Sequence, residues 1–136
     1  MNIGMVSDSL GHLALEAMLD AAKGLGVEGV EVNSGNWSSA PHLAMESLLR
    51  SAKAQRDFLK SFEDRGLKLI ALNANGNQLH PTDGERQSKV LHDTVTIAGA
   101  LGVKKVCLMS GLPAAGRATK CRTGWCPRGR RKPRRR

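Results

Sequence analysis

The chain has 136 residues and 40% of them are hydrophobic, so it can form about one domain with a packed core, and a fully disordered chain is excluded. Its net charge of +9 is unevenly placed, because residues 1–111 hold 11 Lys and Arg against 12 Asp and Glu, while residues 112–136 hold 10 basic residues and no acidic one. No apolar run approaches the ~20 residues that span a bilayer. Residues 1–10 also lack the basic and apolar regions of a secretory signal. We therefore expect a cytoplasmic protein without a membrane partner.

Four short runs of apolar and β-branched residues predict buried parallel strands. They are Asn2–Ser7, Gly29–Asn33, Lys68–Asn73 and Lys104–Met109. A helical pattern follows each of the first three runs, which gives the order βαβαβαβ. Right-handed β-α-β crossovers of this kind build either a small doubly wound sheet or the first half of an eight-stranded barrel.

Apolar positions three and four residues apart predict the three helical connections. The first lies within Leu15–Leu25, and the second keeps one apolar face from Leu48 to Phe62 as a single helix. The third begins with a capping box formed by Thr82 and Glu85. Its predicted inward face is Leu91, Val95, Ala98 and Leu101.

Polar residues follow each predicted strand, and the longest such stretch is Asn73–His80. In parallel α/β folds the chemistry lies at the carboxyl ends of the strands. Hydroxyl, amide and imidazole groups suit hydrogen bonding to a polyol or a phosphate. The same residue types also form turns, and turn formation accounts for part of the pattern.

Three residues stand out as candidates for this site. Glu31 lies inside the second strand, where a carboxylate is costly unless it is paired or faces a polar barrel mouth. His80 follows the third strand and is a candidate for binding substrate or metal, although a loop histidine is more often ordinary. Trp37 is placed either to stack on a sugar ring or to pack over the end of the barrel. By contrast, we expect Cys107 in the core and His42 on the surface at a helix start.

Four segments resemble the sugar phosphate isomerase/epimerase family of xylose-isomerase-like TIM barrels. They are Ile3–Ser9, Gly29–Trp37, Leu72–Pro81 and Val106–Gly111, and the third is the most specific. The resemblance covers residues 1–113 and implies a partial (β/α)8 barrel, of which this chain is the first half.

The resemblance implies an enzyme that binds a small sugar or sugar phosphate and moves a proton between adjacent carbons. It also implies a divalent metal, Mn²⁺, Mg²⁺, Co²⁺ or Zn²⁺, that spreads the developing negative charge. Because the family's metal ligands come mostly from later strands, the resemblance carries no metal ligand over to this chain; His80 alone is a candidate. The substrate-binding positions it implies are Glu31, Trp37, Asn75 and His80.

The family pattern stops near Pro113, and residues 114–136 are predicted to be a disordered basic tail. The abrupt change suggests a frameshift or a truncated gene product. We therefore expect an inactive fragment that binds no metal by itself and self-associates through the open edges of its half-barrel. The alternative is a non-catalytic protein that binds nucleic acid through the tail. A third possibility is the phosphodiester-cutting endonuclease branch of the same superfamily, which the near-neutral body disfavours.

Overall fold

Strands and helices alternate along the chain as the sequence predicts. The structure is a computed structural model, and it describes residues 2–109. The elements are β1 (Gly4–Val6), a short 3-10 helix (Ser7–Leu10), α1 (Leu15–Gly24), β2 (Gly29–Asn33), α2 (Met45–Arg50), α3 (Ala52–Glu63), β3 (Lys68–Asn73), α4 (Gly84–Ala100) and β4 (Val106–Cys107). The predicted domain boundary at residue 113 and the predicted tail at 114–136 lie outside the described residues.

The four strands form one parallel sheet in the order β1-β2-β3-β4. Each strand therefore pairs with the next one along the chain, which is the arrangement of a barrel rather than of a doubly wound sheet. The pairing of β2 with β3 is shifted between Val30 and Glu31. Because all strands run in one direction, the segments that follow them meet at the same edge of the sheet.

The core lies between one face of the sheet and the helices. Val30 and Val32 of the central strand β2 are fully buried there, together with Met18 and Leu19 of α1. Phe58 and Phe62 of α3 pack edge to face, with ring centroids 5.2 Å apart. In the part of the chain that the structure describes, no helix is long and apolar enough to cross a bilayer.

The second connection contains two helices, so the prediction of a single helix is wrong. Ser51 adopts an extended conformation between α2 and α3, and its side chain accepts a hydrogen bond from the backbone N–H of Ala54. This interaction caps the N-terminus of α3. A serine hydroxyl that accepts from the backbone in this way competes with helical hydrogen bonding, so the helix is interrupted at Ser51. The apolar pattern of the sequence continues through this interruption and does not reveal it.

The start and the inward face of α4 also differ from the prediction. Asp83 precedes the helix without a side-chain cap, and the Thr82 hydroxyl lies 3.2 Å from Nδ1 of His80 instead of forming a capping box. Val95 is 54% exposed, whereas Thr94 is fully buried. The buried face contains Gln87, Thr94, Ile97 and Ala98. The observed inward face differs from the predicted one because it includes polar residues that are hydrogen-bonded within the protein. A prediction from apolar positions alone does not include them.

His42 is 3% exposed and is not on the surface as predicted. Its Nε2 lies 3.0 Å from the carbonyl oxygen of Leu13 and donates a hydrogen bond to it. The imidazole thereby ties the segment after β2 to the segment after β1.

Candidate active site

The centre of the candidate site is the carboxylate of Glu31 in the middle of β2. Its neighbours Val30 and Val32 point into the core, so Glu31 points to the opposite, concave face of the sheet. The side-chain amide of Asn73 donates to Oε1 at 2.5 Å, and the thiol of Cys107 donates to Oε2 at 3.3 Å. Both carboxylate oxygens are therefore held by donors from β3 and β4. We call Glu31, Asn73 and Cys107 the concave cluster.

Cys107 is half-buried and belongs to this cluster, so the prediction that it lies in the core is wrong. Burial raises the pKa of its thiol, and the adjacent Glu31 carboxylate raises it further. A thiol with a raised pKa keeps its proton at neutral pH. Cys107 therefore acts as a hydrogen-bond donor to Glu31 and not as a nucleophile.

Three of the four predicted site residues are connected through Asn73. The Asn73 side-chain oxygen accepts from the backbone N–H of Asn75 at 2.9 Å, and the Asn75 carbonyl accepts from the backbone N–H of Trp37 at 3.0 Å. Glu31, Asn75 and Trp37 thus lie along one series of hydrogen bonds that crosses from the concave face to the sheet edge. The indole of Trp37 is 62% exposed, so its ring is free to stack on a ligand.

The fourth predicted site residue, His80, is held by the start of α4. Its Nδ1 accepts hydrogen bonds from the backbone N–H groups of Thr82 and Asp83, at 3.3 and 3.1 Å. An imidazole nitrogen that accepts from backbone amides carries no proton, so the neutral ring carries its proton on Nε2. His80 in this arrangement is a hydrogen-bond donor through Nε2. The structure shows no contact between His80 and the concave cluster.

Gln87 positions the segment between β3 and α4, and the sequence analysis missed it. Its side chain is buried, its Oε1 accepts from the backbone N–H of Asn77 at 2.5 Å, and its Nε2 donates to Asp83 at 2.7 Å. Hydrogen bonds from Arg86 and Gln87 lower the pKa of the Asp83 carboxyl to about 2. The sequence does contain a signal for this role. Gln87 lies seven residues before Thr94, and this spacing places the two side chains on the same face of the helix.

Asn36 joins the segments that follow β2 and β3. Its backbone is left-handed, with φ of 65°, a conformation that asparagine tolerates better than most residues. Its side-chain nitrogen donates to the carbonyl oxygens of Ala74 and Gln87, at 3.1 and 3.3 Å. The two segments are therefore held to each other and to α4 by buried amide groups.

A divalent metal does not fit the described residues by themselves. Within residues 2–109 no three side chains of His, Cys, Asp or Glu lie close enough together to hold a metal ion. The concave cluster offers one carboxylate and a protonated thiol, and Nδ1 of His80 is engaged by backbone donors.

Comparison with known proteins gives a relative and a structural neighbour. No protein-family model matches the chain. It is 45% identical over 117 residues to "Uncharacterized protein YfiH" of Bacillus subtilis strain 168, an alignment that covers 85% of this chain and 37% of that protein. The fold is similar to the crystal structure of the probable 3-DHS dehydratase AsbF, involved in petrobactin synthesis, from Bacillus anthracis, with a TM-score of 0.57, 16% identity, and coverage of 82% of this chain and 39% of that one.

The parallel sheet, its sequential strand order and this similarity define a partial TIM barrel. Residues 2–109 contribute four consecutive strands of such a barrel. It spans little more than a third of the length of the B. subtilis relative that it matches.

Proposed function

We propose that residues 2–109 form the first half of a sugar or sugar phosphate isomerase or epimerase. The enzyme moves a proton between adjacent carbons of a keto or aldo sugar, and this chain is inactive without the remaining strands. The observation that carries the proposal is the Glu31 carboxylate on the concave face, with both oxygens oriented by Asn73 and Cys107.

Proton abstraction next to a carbonyl needs a base within hydrogen-bond reach of the reacting carbon. Glu31 is suited to this role because its carboxylate is half-buried on the face that becomes the interior of a barrel. The two donors fix its direction, and a fixed base loses less freedom when substrate binds.

The polar groups in the segments that follow β2 and β3 suit a polyol better than an apolar ligand. His80 offers an N–H donor, Asn75 offers an amide, and the exposed Trp37 ring offers a surface for the C–H face of a sugar. In the proposed enzyme these residues bind and orient the substrate. In this proposal a divalent metal would be held by residues outside 2–109 and would supply an electrophile for the substrate carbonyl.

The test uses a chimera in which residues 1–109 replace the residues that align with them in the B. subtilis relative. The chimera is incubated in D₂O with a panel of ketoses, aldoses and their phosphates, each with Mn²⁺, Mg²⁺, Co²⁺ or Zn²⁺. Exchange of the C–H hydrogen next to the carbonyl is followed by NMR. Glu31→Gln should lower the exchange rate by about 100-fold or more, the usual contribution of a general base.

Glu28→Gln provides the matched control. Glu28 is exposed and precedes β2 at its amino end, far along the strand from the carboxyl edge. This variant should leave the exchange rate unchanged. Exchange that persists at the normal rate in Glu31→Gln contradicts the proposed role of Glu31, and absence of exchange with every sugar contradicts the isomerase proposal.

The nucleic-acid alternative rests on charge alone, since residues 112–136 hold 10 basic residues and no acidic one. Clustered arginines neutralise phosphates and release counterions, so binding weakens steeply as salt rises. Tight, salt-sensitive binding of the intact chain to RNA or DNA, lost when residues 114–136 are removed, favours this alternative over the enzyme fragment.

A further inference from the structure

The sheet has two open edges among the described residues. β1 pairs only with β2, and β4 pairs only with β3. An edge strand presents unpaired backbone N–H and C=O groups that can pair with another strand. Because all four strands are parallel, an approaching copy of β1 can continue the sheet beyond β4 in the same direction.

The concave face is apolar below the concave cluster. Val6 and Ile70 are 39% and 41% exposed there. The side chain of Ile70 lies over two glycines. A Cβ atom added to Gly4 would lie 2.7 Å from one carbon of this side chain, and a Cβ atom added to Gly29 would lie 2.5 Å from another. The lack of side chains at these glycines allows Ile70 to lie flat against the sheet. The result is a shallow apolar surface next to the edge strand β1.

We propose that two copies of the 136-residue chain close an eight-stranded barrel around a two-fold axis between their concave faces. In this dimer β4 of each copy pairs with β1 of the other. A two-fold axis along the strands preserves their direction, so both new pairs are parallel like the three within each copy. Eight strands also give a barrel whose interior side chains just fill.

A second copy fits these surfaces better than residues 112–136 of the same chain. Ten basic side chains without one acidic partner are poorly suited to cover the apolar surface at Val6 and Ile70. The second copy supplies an apolar surface of the same composition and both complementary edges. This inference does not depend on the proposed function, because the interface forms whatever reaction the barrel supports.

Light scattering on the intact chain after size-exclusion chromatography tests the stoichiometry. The expected mass rises with protein concentration to twice 14.6 kDa and then stays at that value. A monomer overturns the proposal. A mass that keeps growing beyond the dimer as concentration rises also overturns it, because an edge-to-edge contact that does not close forms open assemblies.

Hydrogen exchange on the same sample tests which surfaces are paired. Backbone amides in both β1 and β4 should gain protection as concentration rises through the monomer–dimer transition. A dimer in which only one of the two edges gains protection overturns the closed barrel. This readout uses the unmodified chain, so it does not depend on any variant folding.

A pair of valine variants separates the concave face from the outer surface. Val6→Asp places a charge on the concave face and should convert the dimer to monomer. Val95→Asp places the same charge on the exposed side of α4 and should leave the dimer intact. Circular dichroism confirms that each variant keeps its helices. A folded Val6→Asp variant that remains dimeric overturns the proposal.

Discussion

The side-chain amide of Asn73, the last residue of β3, donates a hydrogen bond to Oε1 of Glu31 in the middle of β2. The same Asn73 side chain accepts from the backbone N–H of Asn75. One buried amide therefore fixes both the carboxylate and the first turn of the segment that follows the strand.

Asn73→Ala removes both interactions and should lower the free energy of unfolding by about 2 kcal/mol, as expected when a hydrogen bond to a charged group is lost. Urea unfolding of the full chain measures the change. Asn75→Ala is the control. The contacts of Asn75 described above are made by its backbone, which this substitution keeps, and its side chain is half-buried. The free energy of unfolding should therefore fall by about 0.5 kcal/mol in this variant. Equal losses in the two variants would contradict the role assigned to the Asn73 side chain.

The raised pKa of Cys107 predicts slow alkylation of this thiol at mildly alkaline pH. Burial is the larger cause and the Glu31 carboxylate the next, so Glu31→Gln should speed the reaction but leave it slower than that of a free cysteine. Mass spectrometry of the peptide that contains Cys107 measures the rate. A rate that is the same with and without the Glu31 carboxylate contradicts the contact between the two residues.

The same raised pKa predicts how stability changes with pH. The folded chain binds the Cys107 proton more tightly than the unfolded chain does, so the stabilisation is complete below the ordinary thiol pKa and is lost as pH rises through the higher folded value. Cys107→Ser keeps a donor for Glu31 without this titration. Its free energy of unfolding should therefore fall less over alkaline pH than that of the unmodified chain, as urea unfolding at a series of pH values can show.

Gln87→Leu should loosen the segment between β3 and α4. The substitution leaves the Asn77 backbone N–H without its Gln87 acceptor, and we expect a loss of about 2 kcal/mol in unfolding free energy and faster hydrogen exchange at Asn77. Gln78→Leu is the matched control. Its side-chain nitrogen is buried without a partner among the described residues, so removing it should cost little or stabilise the fold. A larger loss in Gln78→Leu than in Gln87→Leu would reverse this assignment.

His42→Ala should destabilise the chain by about 2 to 3 kcal/mol, because it removes a buried ring and its hydrogen bond to Leu13. His92→Ala is the comparison on an exposed position of α4, and its effect should stay within about 0.5 kcal/mol. Thermal unfolding followed by circular dichroism distinguishes the two. Similar shifts in both variants would place His42 on the surface after all.

The sequence predicts the alternation of strands and helices because apolar runs and glycine ends recur at each strand, and the family resemblance predicts the half-barrel. It also predicts Glu31 as unusual, since a carboxylate between two buried valines is costly without a partner. The partners themselves were not predictable. Asn73 and Cys107 lie 42 and 76 residues from Glu31, and only the parallel register brings the three side chains together.

The predictions that are wrong share a physical cause. An apolar pattern does not identify polar residues that are buried because they are hydrogen-bonded within the protein, such as Gln87, Thr94 and His42. Nor does it show that Ser51 caps α3 and divides the second connection into two helices. Long-range pairing and local capping both depend on three-dimensional contacts that periodicity does not encode.

The sequential order of the strands also bears on how the chain folds during synthesis. Each β-α-β unit is complete as soon as its second strand leaves the ribosome, because no strand waits for a partner beyond the next one. Chains generally fold from the N-terminus as they are made, and partly folded species with unpaired strand edges are prone to aggregation. In this sheet β1 and β2 pair first and β3 and β4 pair last, so the order in which the strands are made is also the order in which they lie in the sheet.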